Sequence, residues 1–187
     1  MALKATIFKV QLQVSDMDRG YYGSHSLTVA RHPSETDERM MVRVLAFVLF
    51  ASDTLEFGRG LSTDDEADLL ERDATGRILR WIDVGLPDER DLRKACARAD
   101  EVVVIGYGRT VRSWWNRNRE RLEGLANLSV LSLPPDSTSL LAGLAMRNME
   151  LQCMIQDGLI WITCGETTLQ LEPVGLRTSR VARQVPR

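Results

Sequence analysis

The chain has 187 residues, 44% hydrophobic and 27% charged, with a formal net charge of -2 at pH 7. These values fit one soluble globular domain and leave no global basic field to argue for nucleic-acid binding. The 3 cysteines, Cys96, Cys153 and Cys164, are odd in number and form no CxxC, so a reducing cytoplasm is expected and neither a disulfide framework nor a zinc site is indicated.

Ala5 to Val14 alternates, with Phe8, Val10, Leu12 and Val14 on one face and Lys9, Gln11 and Gln13 on the other. That period predicts a half-buried strand, and the stretch has no apolar core of a secretory signal. No apolar run approaches the roughly 20 residues a membrane helix needs, so no membrane partner is expected. A turn over Asp16–Gly20 and a strand over His25–Ala30 close a hairpin, with His25 expected on its surface. Ser34 is expected to cap a helix whose first turn carries Glu35, Asp37 and Glu38. Its apolar stripe is Met40, Met41, Val44, Leu45, Val48 and Leu49, and it should stop near Ser52-Asp53.

Leu55–Phe57 reads as a short strand. Thr63 to Asp68 is an acidic run. Leu69–Arg72 and Arg77–Val84 then read as two strands joined by the turn signal Asp73-Ala74-Thr75-Gly76. Pairing Asp73 with Gly76 sets Asp68 opposite Trp81 and Glu66 opposite Asp83. Asp68 and Asp83 then share a face as diagonal neighbours, roughly 7–8 Å apart at Cα. Carboxylates that close repel unless a proton, water or cation separates them, and a hard cation such as Mg2+ takes oxygen ligands.

Asp88 is expected to cap the next helix, with Leu92, Ala95, Cys96 and Ala99 inward. Val102–Ile105 is a continuous apolar run, as in a strand buried on both faces. Thr110–Leu122 predicts a helix with Val111, Trp114, Trp115 and Leu122 inward, surrounded by Arg109, Arg112, Arg117, Arg119 and Arg121. A solvated helix with a buried aromatic stripe is the expectation. Interleaved arginine and tryptophan is also the chemistry of single-stranded nucleic-acid binding. A strand at Leu128–Leu133, a short helix around Ser139–Ala145 and a hairpin through Asp157-Gly158 follow. A strand at Thr168–Glu172 completes a single domain over 1–176. Residues 177–187 form a basic tail, expected to be flexible. A monomer is assumed.

The order from Ser34 to Tyr107 is helix, three strands, helix, strand. This αβββαβ order resembles the mixed-sheet α/β core of the PD-(D/E)xK nuclease-like fold, with an N-terminal β-hairpin and C-terminal strands added. The chain is also similar, over nearly its whole length, to the bacterial YaeQ family. The match lies in Met1-Ala2-Leu3-Lys4-Ala5-Thr6, Ala30-Arg31-His32-Pro33-Ser34-Glu35-Thr36, Glu38-Arg39-Met40-Met41, Gly85-Leu86-Pro87-Asp88-Glu89-Arg90 and Ile155-Gln156-Asp157-Gly158. The resemblance implies that Ala67-Asp68 stands at the PD position and Asp83-Val84-Gly85 at the (D/E)xK position. Glycine thus replaces the lysine that orients the attacking water or stabilises phosphate charge. Lys94, on the following helix, is the candidate substitute, with Arg90 as the alternative cation. Glu38 is placed like the extra acid that some members use.

Two expectations follow. One is a metal-dependent phosphodiesterase acting on nucleic acid, with Mg2+ or Mn2+ on Asp68 and Asp83 and with Lys94 and Glu38 assisting. The other is a binding module, or nucleic-acid-associated accessory factor, that kept the fold and lost the chemistry.

Overall fold

The structure is a computed structural model that describes residues 4–58 and 66–180. In chain order the elements are β1 (Thr6–Asp16), β2 (Tyr21–Arg31), α1 (Asp37–Phe50), β3 (Leu55–Phe57), β4 (Leu69–Arg72) and β5 (Ile78–Val84). Then come α2 (Glu89–Arg98), β6 (Ala99–Gly106), α3 (Val111–Leu122), β7 (Leu128–Ser132) and α4 (Pro135–Ala142). β8 (Asn148–Gln156), β9 (Leu159–Cys164), β10 (Thr167–Leu171) and β11 (Val174–Arg177) follow.

The strands form two mixed sheets. The first has the order β10-β9-β8-β1-β2, and the second β11-β7-β6-β5-β4-β3. In the second, β5, β6 and β7 run parallel, joined through α2 and α3, while β3, β4 and β11 are antiparallel to their neighbours. The predicted N-terminal hairpin and C-terminal strands therefore build a sheet of their own, with β1 parallel to β8.

Two apolar clusters hold these layers. The larger joins the inner face of the first sheet to α1 and to Leu69, Ile82, Val84, Val103 and Ile105 of the second. Every residue of α1 from Met40 to Val48 is buried, which is what a helix packed on several sides requires. The smaller cluster lies on the other face, where Trp81, Val102, Val104, Leu128 and Val130 meet Leu92 and Ala95 of α2 and Trp114 and Leu122 of α3. β6 contributes to both clusters, as its unbroken apolar run predicts. No helix among the described residues is long and apolar enough to cross a membrane.

Several local expectations are corrected. The cap of α1 is Thr36, whose Oγ1 accepts from the Arg39 N–H at 3.1 Å, while Ser34 Oγ bonds the His32 ring instead. His25 is half-buried on the inner face of β2, bonded to Tyr21 Oη at 2.8 Å and edge-on to Phe47. Pro135 starts α4 four residues earlier than predicted, at the first helical position, where its missing N–H costs nothing. The first residues of the tail are held. Arg177 donates to the carbonyls of Glu123, Leu125 and Leu128, and the Ser179 N–H bonds Ser129 Oγ. The rest of that tail, 181–187, lies outside the described residues.

Candidate functional site at the carboxyl ends of the parallel strands

β5, β6 and β7 end together, at Val84, Gly106 and Ser132. The carboxyl end of a parallel sheet is where open α/β folds place their ligands. Asp68, Asp83 and Tyr107 all lie at this end, and the start of α1 brings Glu35, Glu38 and Arg39 to it.

The register of β4 against β5 differs from the expected one. Asp73 bonds Arg77, and the ladder then slips by one residue at Leu79, so Leu70 faces Trp81 and Leu69 faces Ile82. Glu66 is not set opposite Asp83. The Asp68 N–H also donates to the Ile82 carbonyl, at 3.0 Å, so two successive residues address one partner. Such a bulge re-aims a side chain. Asp83 lies two residues beyond Trp81 and so faces α2, where its Oδ1 accepts from Trp81 Nε1 at 2.9 Å. Asp68 turns instead toward α1. The two carboxylates are close enough for their charges to act on each other, but they do not share a face.

Asp68 is fully engaged on the α1 side. Arg39 Nη2 donates to both of its oxygens, at 2.8 and 3.0 Å, and the Val84 N–H donates to Oδ2 at 2.7 Å. Arg43 Nε lies 3.6 Å from Oδ1. Glu35 completes the network, accepting from Arg39 Nη1 at 2.8 Å and from Arg43 Nη1 at 3.1 Å. Arg39 stays charged because Asp68 and Glu35 outweigh the burial that opposes its charge. Tyr107 is held above the ordinary tyrosine range by burial; Arg39 opposes that shift, while Glu38, Glu35 and Asp68 add to it.

Asp83 is pushed up from 3.8 to about 7. Burial is the main cause, the Trp81 indole opposes it, and the charge of Asp68 adds to it. A carboxyl largely withdrawn from water, with Arg39 offsetting only part of that loss, favours its neutral form.

The other two candidates bond to partners other than Asp68 and Asp83. Glu38 Oε1 accepts from the hydroxyl of Thr138 on α4, at 2.6 Å. Lys94 Nζ is 3.6 Å from Asp91 Oδ1 on its own helix, and its side chain lines the cleft between α2 and α3 with Arg90, Arg93 and Asn118. Arg39 of α1 is the cation whose charge acts on both acids. The reading of Lys94 as a migrated lysine gains no support from this placement.

An Mg2+ pair of the expected kind does not fit these residues. Both Asp68 oxygens already take donors, and two guanidinium groups would repel a divalent cation there. Among the described residues no group of three or more His, Cys, Asp or Glu is arranged to hold a metal ion. Asp64 and Asp65 of the acidic run lie outside the described residues.

The glycine at the lysine position has a backbone reason. Gly85 has φ +114°, a region L side chains rarely adopt, although a Cβ there would meet nothing within 4 Å. The obstacle is conformation and not space. Gly85→Lys is expected to lower stability by about 1–3 kcal/mol. Equal urea midpoints for wild type and variant would show that the turn tolerates a side chain.

Sequence reading found the acids but missed Glu35, Arg39, Arg43 and Tyr107 as members of the site. A usable signal was Arg43, which interrupts the apolar stripe of α1 and is 0% exposed.

Among the described residues the architecture is that of a mixed α+β protein with two mixed sheets and four helices. The YaeQ protein family model matches residues 1–173, and the chain belongs to this family. It is 45% identical over 172 residues to the "Uncharacterized protein YaeQ" of Escherichia coli (strain K12), covering 91% of this chain and 95% of that one. It is 43% identical over 173 residues to the Salmonella typhi protein of the same name, covering 92% and 96%. Two crystal structures are similar. The YaeQ protein from Xanthomonas axonopodis pv. citri has a TM-score of 0.90 at 50% identity, covering 93% of this chain and 99% of that one. The YaeQ protein from Pseudomonas syringae has a TM-score of 0.89 at 35% identity, covering 94% and 98%.

Proposed function

We propose that this YaeQ-family protein is a nucleic-acid-binding module on a nuclease-like core, with its first metal-ligand position converted into an ion pair. The order α1-β3-β4-β5-α2-β6 supports the nuclease-like core. The observation that carries the loss of chemistry is the Arg39–Asp68 pair, closed by the Val84 N–H. A cation supplied by the chain itself holds the carboxylate that a metal would need. Asp83, with its indole donor and its raised pKa, is a weak standing ligand at neutral pH. Gly85 leaves the third motif position without charge.

The second reading is the metal-dependent phosphodiesterase, in which Arg39 swings away, Asp68 and Asp83 take Mg2+, and Glu38 and Lys94 assist. Its support is that the acids stand at the motif positions. Metal linkage separates the two. A ligand that binds only the folded state stabilises it by mass action, by about 2.7 kcal/mol at one hundred times its Kd. We expect millimolar Mg2+ or Mn2+ to leave the melting temperature unchanged and both single-stranded and duplex DNA and RNA uncut. A metal-dependent rise in melting temperature that Asp83→Asn abolishes, together with cleavage that it also abolishes, would establish the phosphodiesterase.

A further inference from the structure

We propose that the outer face of α3 binds single-stranded nucleic acid, with Arg112, Arg119 and Arg180 on phosphates and Trp115 as a stacking platform. This rests on the nucleic-acid-binding reading and names the surface that carries it. The first observation is a contrast among the arginines. Arg19, Arg31, Arg39, Arg43, Arg77 and Arg80 each face a carboxylate. Arg109, Arg112, Arg117 and Arg119 are exposed, and among the described residues no ion pair or hydrogen bond engages their side chains. Four exposed arginines on one short segment of a chain with net charge -2 offer a local surface for a polyanion, not a general basic field.

The second observation is the placement of the aromatic groups. Trp114 is spent on the core, with its Nε1 donating to the Pro87 carbonyl at 3.2 Å. Trp115 packs on the edge of the same cluster, beside Trp114, and its half-buried ring also lines a groove of about 590 Å3 with Arg119, Thr178 and Arg180. Glu120 and Glu123 also line that groove, so its cations are not a uniform patch. Arg112, Trp115 and Arg119 stand at i, i+3 and i+7 and so share one helix face, with about 10 Å of rise between the two arginines. The stripe starts at the same end of the sheet as Asp68 and Asp83, since α3 follows the carboxyl end of β6. A positively charged track beside an accessible aromatic ring is the device that holds single strands without reading sequence, through phosphate contacts and base stacking. An acidic peptide would use the cations but not the ring.

The test is fluorescence anisotropy of a labelled oligothymidylate with the full chain, across a salt series. R112E/R119E is compared with K4E/K9E, which makes the same charge change on exposed lysines near the chain start. Circular dichroism confirms that both fold. We expect R112E/R119E to weaken binding at least tenfold and to flatten the log–log salt slope by about 1.4, that is ~0.7 for each phosphate no longer neutralised. K4E/K9E should bind as wild type does, and Trp fluorescence should be quenched on binding in wild type and not in W115F. Wild-type binding that R112E/R119E leaves intact overturns the α3 surface while the nucleic-acid reading stands. Equal losses in both charge variants, or equal competition by polyglutamate and by unlabelled oligothymidylate, also overturn it. No binding by wild type at low salt overturns both readings.

Discussion

Glu35→Gln is expected to cost about 3–5 kcal/mol of folding stability, the usual loss when one member of a buried ion pair is removed. Glu35 is buried and its carboxylate takes donors from three groups: Arg39, Arg43 and the His32 N–H. Arg43 is the vulnerable partner. It is fully buried between α1 and the second sheet, over the Phe57 ring, and its Nε and Nη2 have no hydrogen-bond partner. Water cannot replace the lost charge, and Asp68 at 3.6 Å is already shared with Arg39. Glutamine keeps the shape but turns one acceptor oxygen into a donor aimed at a guanidinium. The loss is a large part of the roughly 5–15 kcal/mol that holds a domain folded. In urea the midpoint should fall while the slope stays constant. Asp37→Asn is the control, because its pair with Arg31 is largely exposed and should be worth about 1 kcal/mol or less. A Glu35→Gln loss no larger than the Asp37→Asn loss would mean that the network does not hold Arg43 in place. Glu35→Gln combined with Arg43→Met should cost less than the two single losses added, since each single change strands the other's charge.

How far the sequence could be read depended on what sets each feature. Alternation over Phe8–Val14 and the apolar run of Val102–Ile105 reported β1 and β6 directly, because burial of one or both faces dictates those patterns. The β4–β5 hairpin was legible from its turn, but its register was not. The extra residue Leu79 and the bulge at Asp68 are tertiary choices with no local signature. β11 escaped because Val174-Gly175-Leu176-Arg177 is short, holds a glycine and pairs irregularly at a sheet edge. At the site, residue type and motif position pointed to Asp68 and Asp83. They did not reveal what Asp68 bonds, because Arg39 lies 29 residues earlier and its reach depends on how α1 packs. The missing lysine at Gly85 looked like a chemical gap. The backbone angle there makes it a constraint of the turn as well.

Asp83→Asn should stabilise the protein above neutral pH and leave it little changed below pH 4. The unfolded carboxyl titrates near 3.8, and the folded one near 7, because burial against Trp81 disfavours the anion more than the indole bond and Arg39 restore it. Between those values the folded state holds a proton that the unfolded state has lost. Stability therefore falls as pH rises from about 4 to about 7, and the loss persists above 7, reaching roughly 4 kcal/mol. Asparagine keeps an oxygen for the indole and carries no charge, so the variant should lack this slope. Urea unfolding of both proteins at pH 5 and pH 8 measures it: their difference should grow by a few kcal/mol between the two conditions, in favour of the variant at pH 8. Parallel profiles would mean that Asp83 is ionised in the folded state at little cost, through solvent or a cation. In the same titration, the carboxyl carbon resonance of Asp83 should move with a midpoint near 7. A carboxyl that is half protonated at neutral pH repels Asp68 less than two full anions would repel each other. The proton on Asp83 and the arginine on Asp68 thus ease the repulsion that made Mg2+ attractive when only the acids were in view.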